Sequence, residues 1–511
     1  MLDERAHRTE NGFFRKNRFL LLFLLIYIVL SLLLFDPKLF TGGDNAIYVI
    51  LAESIISGKG YRDIYLPEEP PHTQYPFGFP LLLSVPLLIF GQNLLALKFF
   101  VLLTGLGSFY FMYRIGESVF REKINFIMAF YLSMPAVIEY NHRILSEMPF
   151  LCFSLGALYF FMKARELRSL FYYISFIFAT YAFLIRTAGI ALILGMMLFL
   201  LIIKQYKYFS IFLFIFLAVF VPWYIRNTSI SHGNAYIEQL LAKDPYQIEL
   251  GRVHFHELLI RIWHNFCLYS FAGLPVTLLT ILKGKTGLLI MVSGYILTLF
   301  TIIGVIIRYK RVDIMEFYFL FAVFILCIWP RVWTSERLLI SILPIIVIYL
   351  FLGLFWLSKE IKLNYIISVA CAIFIFLNLL SLIPQVKNAL ANNSAYMKGD
   401  KYSGYETDWL HYFMTIEWIN KNIPKDKIIM ARKPEYVYLL SKHKSFLWPR
   451  TTDRHKVKEA VERSDYIIID DFYHFGGTKR FLMPVLEKER ENYSVVFETT
   501  SPEFYLLKAL R

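Results

Sequence analysis

Long apolar runs joined by short polar loops are the feature that most constrains how this chain can fold. The first run covers 19–35, and runs of similar length recur as far as residue 383. About 17–25 apolar residues form a helix that crosses the hydrocarbon core of a bilayer and satisfies its own backbone hydrogen bonds there. Apolar residues make up 57% of the 511 residues, and charged residues only 18%. The sequence therefore predicts a polytopic α-helical membrane protein.

The predicted membrane-spanning helices number about eleven. They cover residues 19–35, 94–115, 124–138, 147–163, 170–185, 187–203, 208–224, 286–307, 316–329, 338–357 and 363–383. Two further apolar stretches, 79–90 and 256–282, are expected to lie along the outer interface of the membrane as loop helices. Counting 256–282 as a span would place the basic residues around Lys310 outside, against the usual excess of Lys and Arg in cytoplasmic loops.

Basic residues also set the expected orientation. Several of them, from Arg5 to Arg18, precede the first run, and further Lys and Arg residues lie in loops on the same side of the membrane. The positive-inside rule then places the N-terminus in the cytoplasm and the first loop, residues 36–93, outside. The chain is expected in the cytoplasmic (inner) membrane. Its net charge of +14 follows from this topology, so nucleic acid is not an expected partner.

A small extracytoplasmic domain is expected after the last span. Residues 1–385 are assigned to the membrane domain, 386–405 to a polar linker and 406–511 to a C-terminal α/β domain. Helical and strand patterns alternate in the last segment, which ends in a predicted hairpin. It has no Gly-rich phosphate-binding loop, and Asp470-Asp471 is more typical of a solvated turn than of a site.

Asp44 follows the first apolar run at the start of a short amphipathic helix. Gly42 and Gly43 predict a turn, after which Asp44 stands at the N-cap position. On this local pattern alone a helix cap is the better interpretation of Asp44. Other ionisable residues gather on the same side of the membrane, however, and such residues near the bilayer favour a functional interpretation.

Carboxylates and guanidinium groups from separate helices are expected at the outer face. With their polar neighbours they are Asp44, Glu53, His72, Gln74, Tyr75, Glu139, His142, Arg143, Glu147, Arg186, Arg226, Arg331, Glu336 and Arg337. Arg offers paired donors that match phosphate oxygens, and a carboxylate can accept the proton of an attacking hydroxyl or amine. The set suits transfer from a phosphate-linked lipid donor. A transporter or flippase of a lipid-linked substrate also uses buried charges and stays open as the alternative. A third interpretation is a non-catalytic membrane scaffold that presents the C-terminal domain.

Five motifs, in order along the chain, resemble those of bacterial membrane glycosyltransferases with the GT-C fold. They are Gly43-Asp44 with Tyr48 and Ala52-Glu53-Ser54, then Tyr75-Pro-Phe-Gly-Phe-Pro80, Arg143-Ile-Leu-Ser-Glu147-Met-Pro149, Pro222-Trp-Tyr-Ile-Arg-Asn227 and Glu336-Arg-Leu-Leu-Ile-Ser-Ile-Leu-Pro344. Each is weakly specific alone, but together they extend over most of 1–385. The groups that the chain resembles are the protein O-mannosyltransferases and the lipid A aminoarabinose transferases.

The resemblance implies an enzyme, surrounded by membrane lipid, that transfers a hexosyl or pentosyl group from a polyprenyl-phosphate sugar. The implied acceptor is a lipid, a glycan or a protein on the outer side of the membrane. It implies Asp44 as the base or electrostatic partner of the acceptor and Glu147 as a second carboxylate. Donor phosphate binding is expected of Arg337, Arg186 and Arg226. The resemblance also implies a substrate pocket, whose expected residues are Tyr48, Tyr75, His142, Arg143 and Glu336. Many relatives have Asp-Glu where this chain has Asp44-Asn45, so a divalent metal site stays open and no other cofactor is implied.

Overall fold

The structure is a computed structural model that describes residues 2–230, 235–247, 250–285, 287–308, 312–362, 364–474 and 476–510. Lys310 lies outside the described residues. As far as residue 241 the helices are α1 (Leu2–Leu33), α2 (Asn45–Ile56), α3 (Gly78–Phe90), α4 (Leu94–Phe120), α5 (Ile124–Ser133), α6 (Pro135–Glu139), α7 (Glu147–Glu166), α8 (Leu170–Ile185), α9 (Ile190–Ile202), α10 (Tyr206–Ile230) and α11 (Ala235–Leu241). Beyond that residue they are α12 (Phe255–Leu268), α13 (Leu274–Leu278), α14 (Leu288–Ile307), α15 (Ile314–Ile328), α16 (Glu336–Leu339), α17 (Leu343–Glu360), α18 (Asn364–Met397), α19 (Thr407–Asn422), α20 (Pro434–Ser441), α21 (Arg454–Glu462) and α22 (Met483–Leu486).

The chain divides into two compact units, each built from two segments. The first, here the membrane unit, consists of Met1–Asp36 and Lys98–Leu390. The second, here the loop unit, consists of Pro37–Leu97 and Ala391–Arg511, so the first predicted outer loop and the C-terminal segment fold together. The predicted linker, 386–405, begins inside α18, because alanines on either side of its polar residues favour continuation of the helix.

The membrane unit contains apolar helices at each of the predicted spans. Among the described residues, five helical stretches are long and apolar enough to cross a membrane: Leu94–Phe120, Tyr206–Ile230, Leu288–Ile307, Glu336–Glu360 and Ile367–Met397. A sixth crossing results if Pro135–His142 and Glu147–Glu166, which meet at 113°, form one broken span. The other apolar helices have only 10–17 residues. The structure thus supports a multi-pass protein, with fewer full-length crossings than the predicted number of about eleven.

Two helices of the membrane unit approach each other closely through glycine. A Cβ atom at Gly304 of α14 would overlap the carbonyl oxygen of Tyr349 in α17. A Cβ atom at Gly353 of α17 would in turn overlap the carbonyl oxygen of Phe300. Small residues allow the backbones of membrane helices to pack directly against each other. The glycine pair therefore sets the spacing of α14 and α17.

The two stretches predicted as loop helices differ in regularity. Residues 79–90 form the continuous helix α3 despite Pro86. Residues 256–282 instead form α12, a π-helical turn at Tyr269–Gly273, the short helix α13 and a final 3₁₀ turn. The helix continues through the π-turn, with right-handed helical backbone angles on both sides of it, and ends at Leu279.

The C-terminal segment of the loop unit carries a small mixed sheet. Its strands are β1 (Ile429–Met430), β2 (Ser445–Phe446), β3 (Tyr466–Ile469), β4 (Tyr493–Thr499) and β5 (Phe504–Ala509), in the order β2-β1-β3-β5-β4. The first three are parallel, and β4 and β5 form the predicted antiparallel hairpin. The strands and α21 bury a core that includes Met430, Trp448, Ile467 and Leu482, against which Leu66 of the first loop also packs.

The charge pattern predicts on which side each loop lies. Lys207 and Lys421 are exposed. In a variant without the native cysteines, we expect Lys421→Cys to react with an impermeant maleimide on intact cells, because the C-terminal segment is predicted outside. Lys207→Cys should react only after permeabilisation, since its loop is predicted to be cytoplasmic. Labelling of Lys207→Cys on intact cells would contradict the predicted orientation.

Candidate functional site

A buried carboxylate pairs with two arginines in the interior of the membrane unit. The Glu147 side chain is 0% exposed. Its Oε1 accepts a hydrogen bond from Nη1 of Arg186 at 2.7 Å and another from Nε of Arg337. The two arginine side chains are 16% and 24% exposed. Sequence analysis predicts these three residues at one face of the membrane, and the structure brings them together.

Each member of this group lies where a helix begins or ends. Glu147 opens α7, Arg186 follows the last residue of α8, and Arg337 lies in the first turn of α16. Arg186 also donates to the hydroxyl of Ser146, at 3.0 Å. A buried ion must be paired to offset its lost hydration. Three helix ends are therefore joined at one point, with two positive charges and one negative charge.

The segment before α7 adds aromatic and cationic groups. Arg143 pairs with Glu139, and its guanidinium lies 4.8 Å from the ring centre of Tyr140. His142 is buried, its ring centre lies 6.0 Å from that of Phe35, and its Nδ1 has no hydrogen-bond partner among the described residues.

Other charged groups of the membrane unit lie apart from this pairing. Arg226, near the end of α10, donates to the side chain of Asn227 and lies over the ring of Trp223. Glu336 is exposed beside Arg337. Sequence analysis missed Lys98, which is buried within the apolar run of α4 and donates to the backbone carbonyl of Asp36. A lysine in the first turns of a membrane helix was its only signal in the sequence.

Asp44 belongs to the loop unit and is not a helix cap. It stands at the N-cap position of α2, but its side chain makes no capping hydrogen bond. Its Oδ1 instead accepts from the hydroxyl of Tyr75 at 2.9 Å. The carboxylate is half-buried, so it keeps access to solvent. The structure therefore contradicts the cap interpretation of the Asp44 side chain.

A hydrogen-bonded network fixes Tyr75 in turn. Nε2 of His72 accepts from the backbone N–H of Tyr75 at 2.8 Å, which leaves Nδ1 to donate to Asp63, also at 2.8 Å. The hydroxyl of Tyr61 donates to the carbonyl oxygen of Tyr75. Tyr48 is buried against the Tyr75 ring, with 5.3 Å between the ring centres. Predicted as pocket residues, Tyr48 and Tyr75 thus lie together beside Asp44.

Asn45 occupies the position at which many relatives are expected to have a second carboxylate. Its Nδ2 lies within hydrogen-bond distance of the carbonyl oxygens of Phe40 and Gly42 and of the hydroxyl of Tyr436. In the part of the chain that the structure describes, no three His, Cys, Asp or Glu side chains are grouped to hold a metal ion. The first loop therefore does not fit a metal site that requires paired carboxylates.

Glu435, which sequence analysis missed, interacts electrostatically with Asp44. Burial raises the pKa of Glu435, and the negative charge of Asp44 raises it further, although the ammonium of Lys433 at 3.9 Å lowers it. The pKa of this carboxyl group consequently lies above its ordinary value. No pattern in the sequence connects residues so far apart.

Comparisons with known proteins identify the type of fold. Residues 74–225 match the model of one family, the dolichyl-phosphate-mannose-protein mannosyltransferases. This segment includes Tyr75, Glu147 and Arg186. No curated protein matches the chain in sequence.

Solved structures of membrane transferases share the fold over nearly the whole chain. The Archaeoglobus fulgidus oligosaccharyltransferase in its apo form is 15% identical, with a TM-score of 0.54 over 96% of this chain and 74% of that one. ArnT from Cupriavidus metallidurans, bound to undecaprenyl phosphate, is 13% identical, with a TM-score of 0.57 over 96% of this chain and 98% of ArnT. The predicted resemblance to GT-C membrane glycosyltransferases is confirmed at the level of the fold.

The Glu147 group should contribute strongly to stability. Glu147→Gln leaves two partly buried guanidinium groups without their carboxylate, and breaking a buried ion pair costs about 3–5 kcal/mol. We expect a clear fall in the temperature of thermal inactivation in detergent. Glu139→Gln is the matched control, because the Glu139 side chain is 32% exposed and such pairs contribute about 0–1 kcal/mol. Equal effects of the two substitutions would contradict this prediction.

Proposed function

We propose that this protein is a glycosyltransferase that moves a hexose or pentose from a polyprenyl-phosphate carrier to an acceptor at the outer face of the cytoplasmic membrane. The observation that carries the proposal is the arginine pair held by the buried Glu147. The fold shared with ArnT, whose structure contains undecaprenyl phosphate, supports a lipid-phosphate donor. The match to the dolichyl-phosphate-mannose-protein mannosyltransferases supports it independently.

Arg186 and Arg337 bind the donor phosphate in this proposal. With Glu147 they leave one net positive charge, which complements the single negative charge of a phosphodiester. When the bond between sugar and phosphate breaks, the phosphate becomes a monoester with a charge of about −1.5 to −2. Guanidinium groups fixed in advance stabilise that developing charge. Arg226 is proposed as a further cation at the end of α10.

Glu147 acts as a positioning residue in this scheme. Its Oε1 is engaged by both arginines and its side chain is 0% exposed, which leaves little room for it to accept a proton from an acceptor. Its contribution is to hold the two guanidinium groups in a fixed geometry, so that they need not reorganise during the reaction. We propose this positioning role in place of the predicted role as a second catalytic carboxylate.

Asp44 acts as the general base for the acceptor in this proposal. The acceptor's hydroxyl or amine attacks C1 of the sugar, the bond from C1 to the phosphate oxygen breaks, and the acceptor's proton passes to the Asp44 carboxylate. Tyr75 orients the carboxylate through its hydroxyl. The substrate pocket is proposed to include Tyr48, Tyr75, His142, Arg143 and Glu336. No step requires a metal ion.

Release of sugar from the carrier tests the proposal. Purified protein in liposomes is given undecaprenyl phosphate that carries a radiolabelled hexose, with a membrane extract as the source of acceptors. A transferase moves the label out of the carrier lipid, whereas a flippase moves the intact carrier between leaflets. Movement of the carrier without loss of label would overturn the proposal in favour of the transporter.

Asp44→Asn tests the base. The side chain does not cap α2, so we expect folding and donor binding close to wild type. Asn cannot accept the proton, and turnover at saturating donor should fall by at least about a hundredfold. Glu53→Gln is the matched control, because Glu53 lies on the same helix and pairs with Lys442. Turnover above roughly a tenth of wild type in Asp44→Asn would exclude Asp44 as the base.

Arg337→Ala tests the donor site. Loss of a charge-assisted hydrogen bond to phosphate costs about 1.5–3 kcal/mol, so donor affinity should fall roughly ten- to a hundredfold. Titration of the labelled carrier measures this. Arg165→Ala, which removes an ion pair to Asp313 at the other end of α7, should leave donor affinity unchanged. Wild-type affinity in a folded Arg337→Ala variant would remove Arg337 from the donor site.

A further inference from the structure

The turn that carries Asp44 is closed by a side chain rather than by secondary structure. Nδ2 of Asn45 reaches back to the carbonyl oxygens of Phe40, at 2.6 Å, and Gly42, at 2.9 Å. Gly43 adopts a positive φ of 67°, a conformation that residues with a Cβ atom rarely adopt. The position of Asp44 therefore depends on where the Asn45 amide is held.

Tyr436, from the C-terminal segment, completes this closure. Its hydroxyl donates to the carbonyl oxygen of Phe40 at 2.8 Å, and its oxygen lies 3.1 Å from Nδ2 of Asn45 as an acceptor. Both side chains are 0% exposed. One hydroxyl thus binds the two ends of the turn at once. The two residues are 391 positions apart in the sequence.

The Asn45 amide has few other restraints. Its Oδ1 is buried and has no hydrogen-bond partner among the described residues. Leaving a buried polar atom unsatisfied is unfavourable, and such atoms need a particular explanation. The amide is held only through its NH₂ group, and loss of the Tyr436 hydroxyl removes the one of its three contacts that comes from outside the turn.

We propose that Tyr436 is a positioning residue for catalysis, which fixes the Asp44 carboxylate through the side chain of Asn45. This inference rests on the proposed role of Asp44 as the base. It makes the C-terminal segment part of the catalytic machinery. Tyr436 itself does not touch the reacting atoms.

The role differs from simply tethering the first loop to the C-terminal segment. Within the loop unit, Glu53 pairs with Lys442 and Glu69 pairs with Lys444, and the backbone N–H of Ser445 donates to the carbonyl oxygen of Tyr65. These contacts remain when the Tyr436 hydroxyl is removed. A defect in Tyr436→Phe is therefore local to the turn at residues 40–45.

The test compares Tyr436→Phe and Asn45→Ala in the radiolabelled transfer assay, with Asp44→Asn in parallel. Displacement of a reacting group by about 1 Å can cost a hundredfold in rate. We expect kcat to fall about ten- to a hundredfold in both variants, with the KM for the donor unchanged. The double variant should be no slower than the slower single variant, because both substitutions disrupt one contact.

Tyr412→Phe is the matched control. Tyr412 is equally buried in the loop unit, and its hydroxyl donates to the carbonyl oxygen of Lys433 at 3.0 Å, within the C-terminal segment. It should lose comparable stability and keep wild-type kcat. Asn45→Ala removes the other partner of the contact between Asn45 and Tyr436. If Tyr436→Phe misfolds, the kcat of Asn45→Ala still tests the positioning role.

The outcomes separate this inference from the proposed function. If Asp44→Asn is inactive, wild-type kcat in Tyr436→Phe or Asn45→Ala would overturn the positioning role alone. The same conclusion would follow if the fold-losses of kcat in the two single variants multiplied in the double variant. An equal loss of kcat in Tyr412→Phe would also overturn it, since general destabilisation would then account for the defect. Activity in Asp44→Asn would instead overturn the role of Asp44 itself.

Discussion

The pairing of Glu147 with two arginines is the interaction on which the membrane unit depends. A carboxylate that is 0% exposed inside an apolar helical body is stable only if opposite charge lies against it. Arg186 and Arg337 supply that charge from points 39 and 190 residues further along the chain. The ends of three helices must therefore meet before the carboxylate can be buried. The start of α7 therefore depends on the contact between these three helix ends as well as on the apolar sequence of α7.

The loop unit depends on a different kind of constraint. The first loop has little apolar surface of its own to bury, apart from the inner faces of α2 and α3. It obtains further burial by packing Leu66 against the core of the C-terminal sheet, and hydrogen bonds and ion pairs link the two segments at several points. The hydroxyl of Tyr436 satisfies a loop carbonyl that no regular structure would satisfy. Asp44 is thus held by residues from both segments.

Local patterns in the sequence predicted most elements but not their partners. Apolar runs located the membrane helices, and alternation in the last hundred or so residues located the strands of the small sheet. Glu147, Arg186 and Arg337 were found because charges at the ends of apolar runs are costly and so are informative. Asp44 was interpretable locally only as a cap or a base, and the direction of its side chain toward Tyr75 decided against the cap.

The rest depended on contacts that no periodicity encodes. Asn45, Tyr436 and Glu435 do not stand out in their own segments. Their importance depends on interactions with residues that are far away in the sequence. The division into units was missed for the same reason, because hydropathy separates apolar from polar stretches and says nothing about which polar stretches associate. At the π-turn within 256–282, the hydroxyl of Thr298 donates to the carbonyl oxygen of Ser270 from another helix.

The discontinuous build of the loop unit has a consequence for biogenesis. Asn45 leaves the ribosome 391 residues before Tyr436. At about 5–20 residues per second, that interval lasts roughly 20–80 seconds. Throughout it the first loop lacks the segment that buries its apolar side chains and closes its turn. The turn around Asp44 can therefore reach its folded form only after Tyr436 has been synthesised and has packed against it.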